Sequence, residues 1–202
     1  IWLFALLFRI TMLFSSPPSL SDDVYRYIWD GHLINSGINP YLFQVNSPFL
    51  DRFDIPLRAL VNNDWMASPY LPTAQVVFAI ITAIAPEKPL AFQITMLLLD
   101  LSVGWLIISL LKKLNLPLDR VMIYLWNPLV IIEFSHAAHI DALMLCLTML
   151  AFWFLVKENG IHKTIALLGS TIALAIATLT KGVPILLLPL FLNRWRQRYF
   201  LI

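Results

Sequence analysis

The sequence predicts an all-α fold: a polytopic bundle of membrane helices with a large first external loop that contains amphipathic helices. Three observations predict it. Of 202 residues, 59% are hydrophobic and only 13% charged, about half the charged share of an average soluble domain, and the mean hydropathy is +0.77. The apolar residues fall in runs at about 1–14, 71–86, 90–111, 121–135, 140–156, 164–180 and 183–193, not in the alternating ten-residue strands of a membrane barrel. Basic residues gather in the short connections between runs, as they do on the cytoplasmic side of membrane proteins. A net charge of +2 points to no nucleic-acid partner, and a single cysteine, Cys146, inside an apolar run, excludes a disulfide framework.

The whole of 1–202 reads as one membrane domain. Residues 1–14 form the end of a first membrane helix. The chain is expected to be a fragment of a longer protein, because it opens inside that run at Ile1 and closes inside another at Ile202. Residues 15–89 form the external loop, with interfacial or re-entrant helices, and 90–202 hold the remaining membrane helices. Residues 71–86, bounded by Pro72 and Pro86, are shorter than the roughly 20 residues a spanning helix needs. They are expected to be re-entrant or to lie along the surface. Residues 90–111 are long enough to cross. Trp126-Asn127-Pro128 kinks the run 121–135, and Pro184 and Pro189 shorten the run 183–193.

Three basic groups set the orientation: Lys112, Lys113 and Arg120; Lys157 and Lys163; and Arg194, Arg196 and Arg198. By the positive-inside rule all three face the cytoplasm. With 15–70 outside and 112–120 inside, the chain crosses once between them. That parity puts residues 136–141 and Thr180-Lys181-Gly182 on the outer side, beside the loop. Polar residues from three separate stretches then converge on one face of the membrane.

The richest of these stretches is 21–43. Ser21 is a good N-cap, Asp22 and Asp23 sit where the helix dipole favours anions, and Gly37 is a plausible stop with Pro40 beyond it. A capped helix at the interface, with Tyr25, Tyr27 and Trp29 in an aromatic belt, accounts for most of this. It does not account for Asp30, which shares a helix face with Asp23 and with Arg26 or Tyr27. Such a face offers a carboxylate base beside a cation. Further along, His136, His139 and Asp141 follow Glu133 at a membrane helix end, where ionisable residues are functional candidates and capping or snorkelling is the plainer alternative. His139-x-Asp141 with Asp22 or Asp23 could bind a divalent metal, but the spacing matches no closed metal site and gives that cofactor no support. Lys181 is either a surface lysine or a phosphate contact. Arg9, inside the first apolar run, either snorkels outward or faces a lipid-phosphate pocket. Trp65 and Tyr70 read as interfacial anchors.

Ser21-Asp22-Asp23-Val24-Tyr25-Arg26-Tyr27-Ile28-Trp29-Asp30-Gly31, followed by Gly37-Ile38-Asn39-Pro40-Tyr41, resembles the bacterial membrane glycosyltransferases of the GT-C superfamily. These are the relatives of polyprenol-phosphate-mannose-dependent mannosyltransferases. Trp126-Asn127-Pro128-Leu129-Val130 with Glu133-Phe134 and His139-Ile140-Asp141-Ala142 looks like their second block, and Thr180-Lys181-Gly182 with Pro184 like a third. The resemblance implies a GT-C N-terminal module at the cell (inner or plasma) membrane, active on the external face. It also implies inverting transfer of mannose or another hexose from a polyprenyl-phosphate donor to a glycan or lipid acceptor, among membrane lipids. Asp23 is the implied base, with Asp22 in reserve. Arg26, Lys181 and Arg9 would face the donor phosphate, and Asp30, His139, Asp141 and Tyr27 would shape the site. A transporter or lipid flippase is the alternative; it expects buried charges near the bilayer midplane and paired broken helices.

Overall fold

A computed structural model describes residues 1–14, 20–156 and 163–195. Lys157, Arg196 and Arg198, and the side chains of Lys163 and Arg194, lie outside the described residues, as does the start of the predicted loop at 15–19. All regular structure among the described residues is helical.

Helix α1 is Trp2–Leu13 and α2 is Asp23–Asn35. The predicted stop at Gly37 is met. Its φ is 76°, and Gly37 N–H donates to Ile34 O at 2.9 Å while Ile38 N–H donates to Leu33 O at 2.8 Å. That is a Schellman ending, in which glycine supplies the left-handed residue at no steric cost. The predicted start shifts by one residue: Asp22 is the N-cap, and Ser21 Oγ accepts from Asp23 N–H at 3.3 Å. The loop segment beyond α2 holds only 3₁₀ turns, at Pro48–Phe53 and Pro56–Leu60.

Helix α3, Pro72–Ile84, and helix α4, Pro89–Lys113, each begin on proline, which loses nothing at a position whose N–H has no helical partner. Among the described residues α4 is the one helix long and apolar enough by itself to cross a membrane. Its 25 residues extend about 37 Å, against a hydrocarbon core of about 30 Å. Lys112 and Lys113 close it on the negative end of its dipole. The 13 residues of α3 reach only about 20 Å.

The run 121–135 is more broken than a single kink. A 3₁₀ turn at Leu118–Val121 leads into α5, Met122–Leu125, then α6, Pro128–Ile131, and a π-helical turn at Ile132–His136. Trp126 and Asn127 interrupt the helix because Pro128 has no N–H to continue it, and Asn127 recaps it by accepting from Leu129 N–H at 3.0 Å. Helix α7, Asp141–Val156, leaves at a 117° bend from Pro128–His136, and the bent pair together is long and apolar enough to cross a membrane. Helix α8 is Lys163–Thr180; a 3₁₀ turn at Val183–Leu187, around Pro184, precedes α9, Leu188–Trp195.

Two contacts fix how the helices run. Near the start of α4, Gln93 donates to His136 O at 2.8 Å; at its end, Lys113 donates to Trp153 O at 3.4 Å, late in α7. Thus α4 and α7 run parallel. Helix α8 returns beside α7, since Lys181 just past its end meets Asp141 at the start of α7. Residues 20–23, 133–141 and 180–182 therefore gather at one end of the bundle, with Lys112 and Lys113 at the other.

Under α2 lies the main core. Tyr27 stacks on Phe78 with centroids 4.4 Å apart, and Phe92, Met96, Phe134 and Ile140 pack around them. Gly31 permits this closeness: a Cβ there would meet Phe78 O at 2.5 Å. Burial replaces the expected aromatic belt, for Tyr27 and Trp29 are each 1% exposed. Trp29 packs on the loop side, with Leu33, Val45, Leu50 and Val61. Trp65 does keep the exposure expected of an anchor, at 62%.

Candidate functional site

Asp23 opens α2 at the polar end of the bundle and is one-third exposed. Asn62 donates to its Oδ1 at 2.9 Å. On its other side His139 Nε2 stands 3.9 Å from Oδ2. The Tyr70 hydroxyl bonds with Asp23 and with Tyr27; burial first, and then the Asp23 carboxylate, push its pKa well above the ordinary value. Tyr70 therefore stays a donor, and it belongs to this cluster, not to an exposed anchor. Tyr27, also driven upward by burial, forms the floor.

His139 is the hinge of the arrangement. Its Nδ1 pairs with the Glu133 carboxylate, and its Nε2 lies 2.9 Å from Ser21 Oγ. Six residues separate Glu133 from His139, which an α-helix would not bring together. The π-helical turn and a left-handed Ala138, φ 58°, fold the chain back, with His139 N–H on Glu133 O at 3.0 Å. Both are uncommon conformations that concentrate at functional sites. A carboxylate on Nδ1 fixes the ring's orientation.

Beside this cluster Lys181 Nζ bonds both oxygens of Asp141, at 2.7 and 2.8 Å. Lys181 lines two cavities. One, of about 380 Å³, has Leu129, Val130, Phe134 and Met144 on its walls and His139 and Asp141 at its polar edge. The other, of about 340 Å³, lies against Tyr70, Ile140 and Gly182.

Several predicted residues sit elsewhere. Asp22 is exposed, with no side-chain capping bond. Asp30 is 1% exposed and accepts from Arg26 Nε at 3.0 Å, Gln75 Nε2 at 2.9 Å and the Ser68 hydroxyl. Burial raises its pKa in spite of Arg26. Arg26 also donates to Met66 O at 3.2 Å, so its guanidinium ties the loop to α2. Arg9 is fully buried and pairs with Asp100 of α4, while donating to Ala5 O at 3.1 Å and Leu125 O at 2.9 Å; Tyr124 holds the other Asp100 oxygen at 2.6 Å. Neither arginine is brought to the Asp23 cluster. Conversely, Asn62, Tyr70, Ser21 and Glu133 belong to it and were not among the predicted site residues. Glu133 had one available signal, its place in the same block as His139. Asn62 had none, because 39 residues separate it from Asp23 in irregular loop.

An all-helical chain with a carboxylate, an imidazole and a lysine gathered at one end of an apolar bundle defines a class, a helical domain with a chemically equipped polar mouth. The family gives that mouth its chemistry. Residues 2–197 match the family model described as alpha-(1->6)-mannopyranosyltransferase, N-terminal domain, and the chain belongs to that MptA/B family. It is thus a mannosyltransferase-family domain, a glycosyltransferase. No curated protein matches the chain, and no solved structure does.

Proposed function

We propose that the chain is a GT-C type module, crossing the inner or plasma membrane several times. It would transfer mannose with inversion from a polyprenyl-phosphate donor to a glycan or lipid hydroxyl on the external face. The observation that carries the reading is the Asp23 carboxylate: partly exposed, held on one oxygen by Asn62, with His139 3.9 Å from the other.

In this reading the acceptor hydroxyl gives its proton to Asp23 as its oxygen attacks the anomeric carbon. The bond from that carbon to the phosphate oxygen breaks, and its electron pair leaves on the lipid phosphate. Charge developing there needs a nearby cation. Lys181 fills that role best, since Arg26 and Arg9 are enclosed by other partners. Glu133 acts as a positioning residue through His139. The apolar walls and polar edge of the 380 Å³ cavity suit a lipid that carries a phosphate. Helix α4, the bent pair and the shorter apolar helices supply the crossings, with Lys112 and Lys113 marking the cytoplasmic end. Arg9–Asp100 is a buried charge pair of the kind a transporter would show. Its closure by Leu125 O and Tyr124, and the family, favour the transferase.

The test is Asp23→Asn in full-length protein supplied with polyprenyl-phosphate mannose. Transfer should fall by at least about 10²–10⁴-fold with protein level unchanged, whereas Lys181→Ala should raise the donor KM. Full activity in Asp23→Asn removes Asp23 as the base.

A further inference from the structure

A cavity of about 700 Å³ opens in the loop segment, lined by Asn46, Asp54, Ile55, Arg58, Ala59 and Asp64. Its size falls in the range of small-molecule sites, about 300–1,000 Å³. Its wall is fixed from within. Arg58 donates to Val45 O at 3.0 and 2.8 Å and to Ser47 O at 3.1 Å, pairs with Asp51 at 3.0 Å, and lies 5.2 Å over the Trp29 ring. Two 3₁₀ turns begun by Pro48 and Pro56 stiffen the rim.

The cavity's free chemistry is that of acceptors. Asp54 stands 3.6 Å from Arg58 with its side chain more than half exposed. The Asp64 carboxylate makes no hydrogen bond among the described residues; only its backbone oxygen is engaged, by Asn46 N–H at 3.0 Å. Arg58, the one cation of this lining, is already matched by Asp51 and Asp54, so an anion finds no counter-charge. Among the described residues no group of three or more His, Cys, Asp or Glu is placed to hold a metal ion. Carboxylates and an amide around a half-apolar hollow suit a neutral ligand rich in hydroxyl donors.

The position of the cavity says which one. The stretch 61–66, which lines the cavity through Asp64, also holds the proposed base: Asn62 reaches Asp23, and Met66 O accepts from Arg26. Asn62 and Asp64 are two residues apart, at most about 7 Å along the chain. A ligand seated at Asp64 and extending along this stretch comes to Asp23.

We infer that this cavity is an acceptor subsite, holding the neutral sugar units that precede the hydroxyl presented to Asp23. The inference rests on the reading of Asp23 as the base. It makes the acceptor an oligosaccharide recognised by the loop, and it makes acceptor length matter.

The experiment uses the full-length protein in detergent with α-1,6-linked mannose oligosaccharides of two and four units. In the native protein the longer acceptor should have the lower KM. The double variant Asp54→Ala/Asp64→Ala should raise the KM of the four-unit acceptor by about tenfold or more, the loss of at least one charge-assisted hydrogen bond. It should leave kcat and the donor KM unchanged and barely alter the two-unit acceptor. Ala59→Trp, which fills the hollow without removing a charge, should do the same. Equilibrium binding of the four-unit acceptor to Asp23→Asn, without donor, separates this inference from the assignment of the base. That variant should still bind, and adding Asp54→Ala/Asp64→Ala should abolish the binding. Equal KM values in all these proteins, or binding indifferent to Asp54, Asp64 and Ala59, overturns the subsite whatever Asp23 does.

Discussion

Replacing Asp30 by alanine should weaken the fold before it touches the chemistry. The carboxylate is 1% exposed and holds three groups at once: the Arg26 guanidinium, the Gln75 amide and the Ser68 hydroxyl. Removing it strands a buried cation. Breaking a buried pair from one side costs about 3–5 kcal/mol. Arg26 keeps Met66 O, and Gln75 keeps Ser68 Oγ at 2.5 Å, so the neighbours add little to that. With about 4 kcal/mol, and about 2–4 °C per kcal/mol for a chain of this size, the melting temperature should fall by about 8–16 °C. The assay is thermal unfolding of detergent-solubilised protein followed by tryptophan fluorescence. Trp29 sits beside Asp30 in the same helix and reports on the loop that Asp30 secures. Transfer measured well below the transition should persist. An Asp30→Ala protein that melts like the native one but transfers no sugar would refute the argument, making Asp30 a chemical group and Arg26 a functional cation.

The same residue sets a pH trend. Burial holds the folded-state pKa of Asp30 above its ordinary 3.8, so the folded chain binds this proton at higher pH than the unfolded one. The stabilisation linked to binding this proton is then fully present below the unfolded value and is lost as pH rises through the folded value, leaving the pairing with Arg26. Melting temperature against pH should show this loss in the native protein relative to Asp30→Asn, and parallel curves would contradict it. In the bundle, Arg9→Met alone should cost about 3–5 kcal/mol by stranding Asp100, and Arg9→Met/Asp100→Leu should recover most of it; thermal unfolding of the single and double variants measures both. For the membrane face, a cysteine at Trp65 in a Cys146→Ala background should react with an impermeant thiol reagent from outside intact cells. One at Leu114 should react only after permeabilisation, and the reverse labelling would invert the orientation.

Helix ends were the most legible part of the fold, because glycine, proline and aspartate act locally. Gly37 stops α2 through its own backbone, and Pro72, Pro89 and Pro128 start helices where they stand. The convergence of 20–23, 133–141 and 180–182 was legible too, since alternation of the apolar runs fixes which connections share an end. Pairings across the chain were not. Asp30 chooses Ser68 and Gln75 through irregular loop that carries no periodicity, and so a residue that reads as part of a chemical face is a structural clasp. His139 finds Glu133 only because the helix widens by one residue and Ala138 turns left-handed, neither of which the residue types announce. Arg9 and Asp100 are the instructive miss. Each is a charge inside an otherwise apolar run, and in a medium without water two such charges must find each other.

The close approach at Gly31 divides the site into a stiff half and a yielding half. With Phe78 O where a Cβ would stand, Tyr27 flat on Phe78, and Asp30 clasping the loop, α2 and α3 move as one body. Asp23 rides on that body and cannot swing toward a substrate. Across the mouth the Lys181 side chain is half exposed, held among the described residues by Asp141, and followed by Gly182 with open space around it. Any motion that admits one molecule and releases another falls to that side. Slow steps in turnover would then answer to changes at Gly182 and Pro184, while the carboxylate proposed as the base stays still.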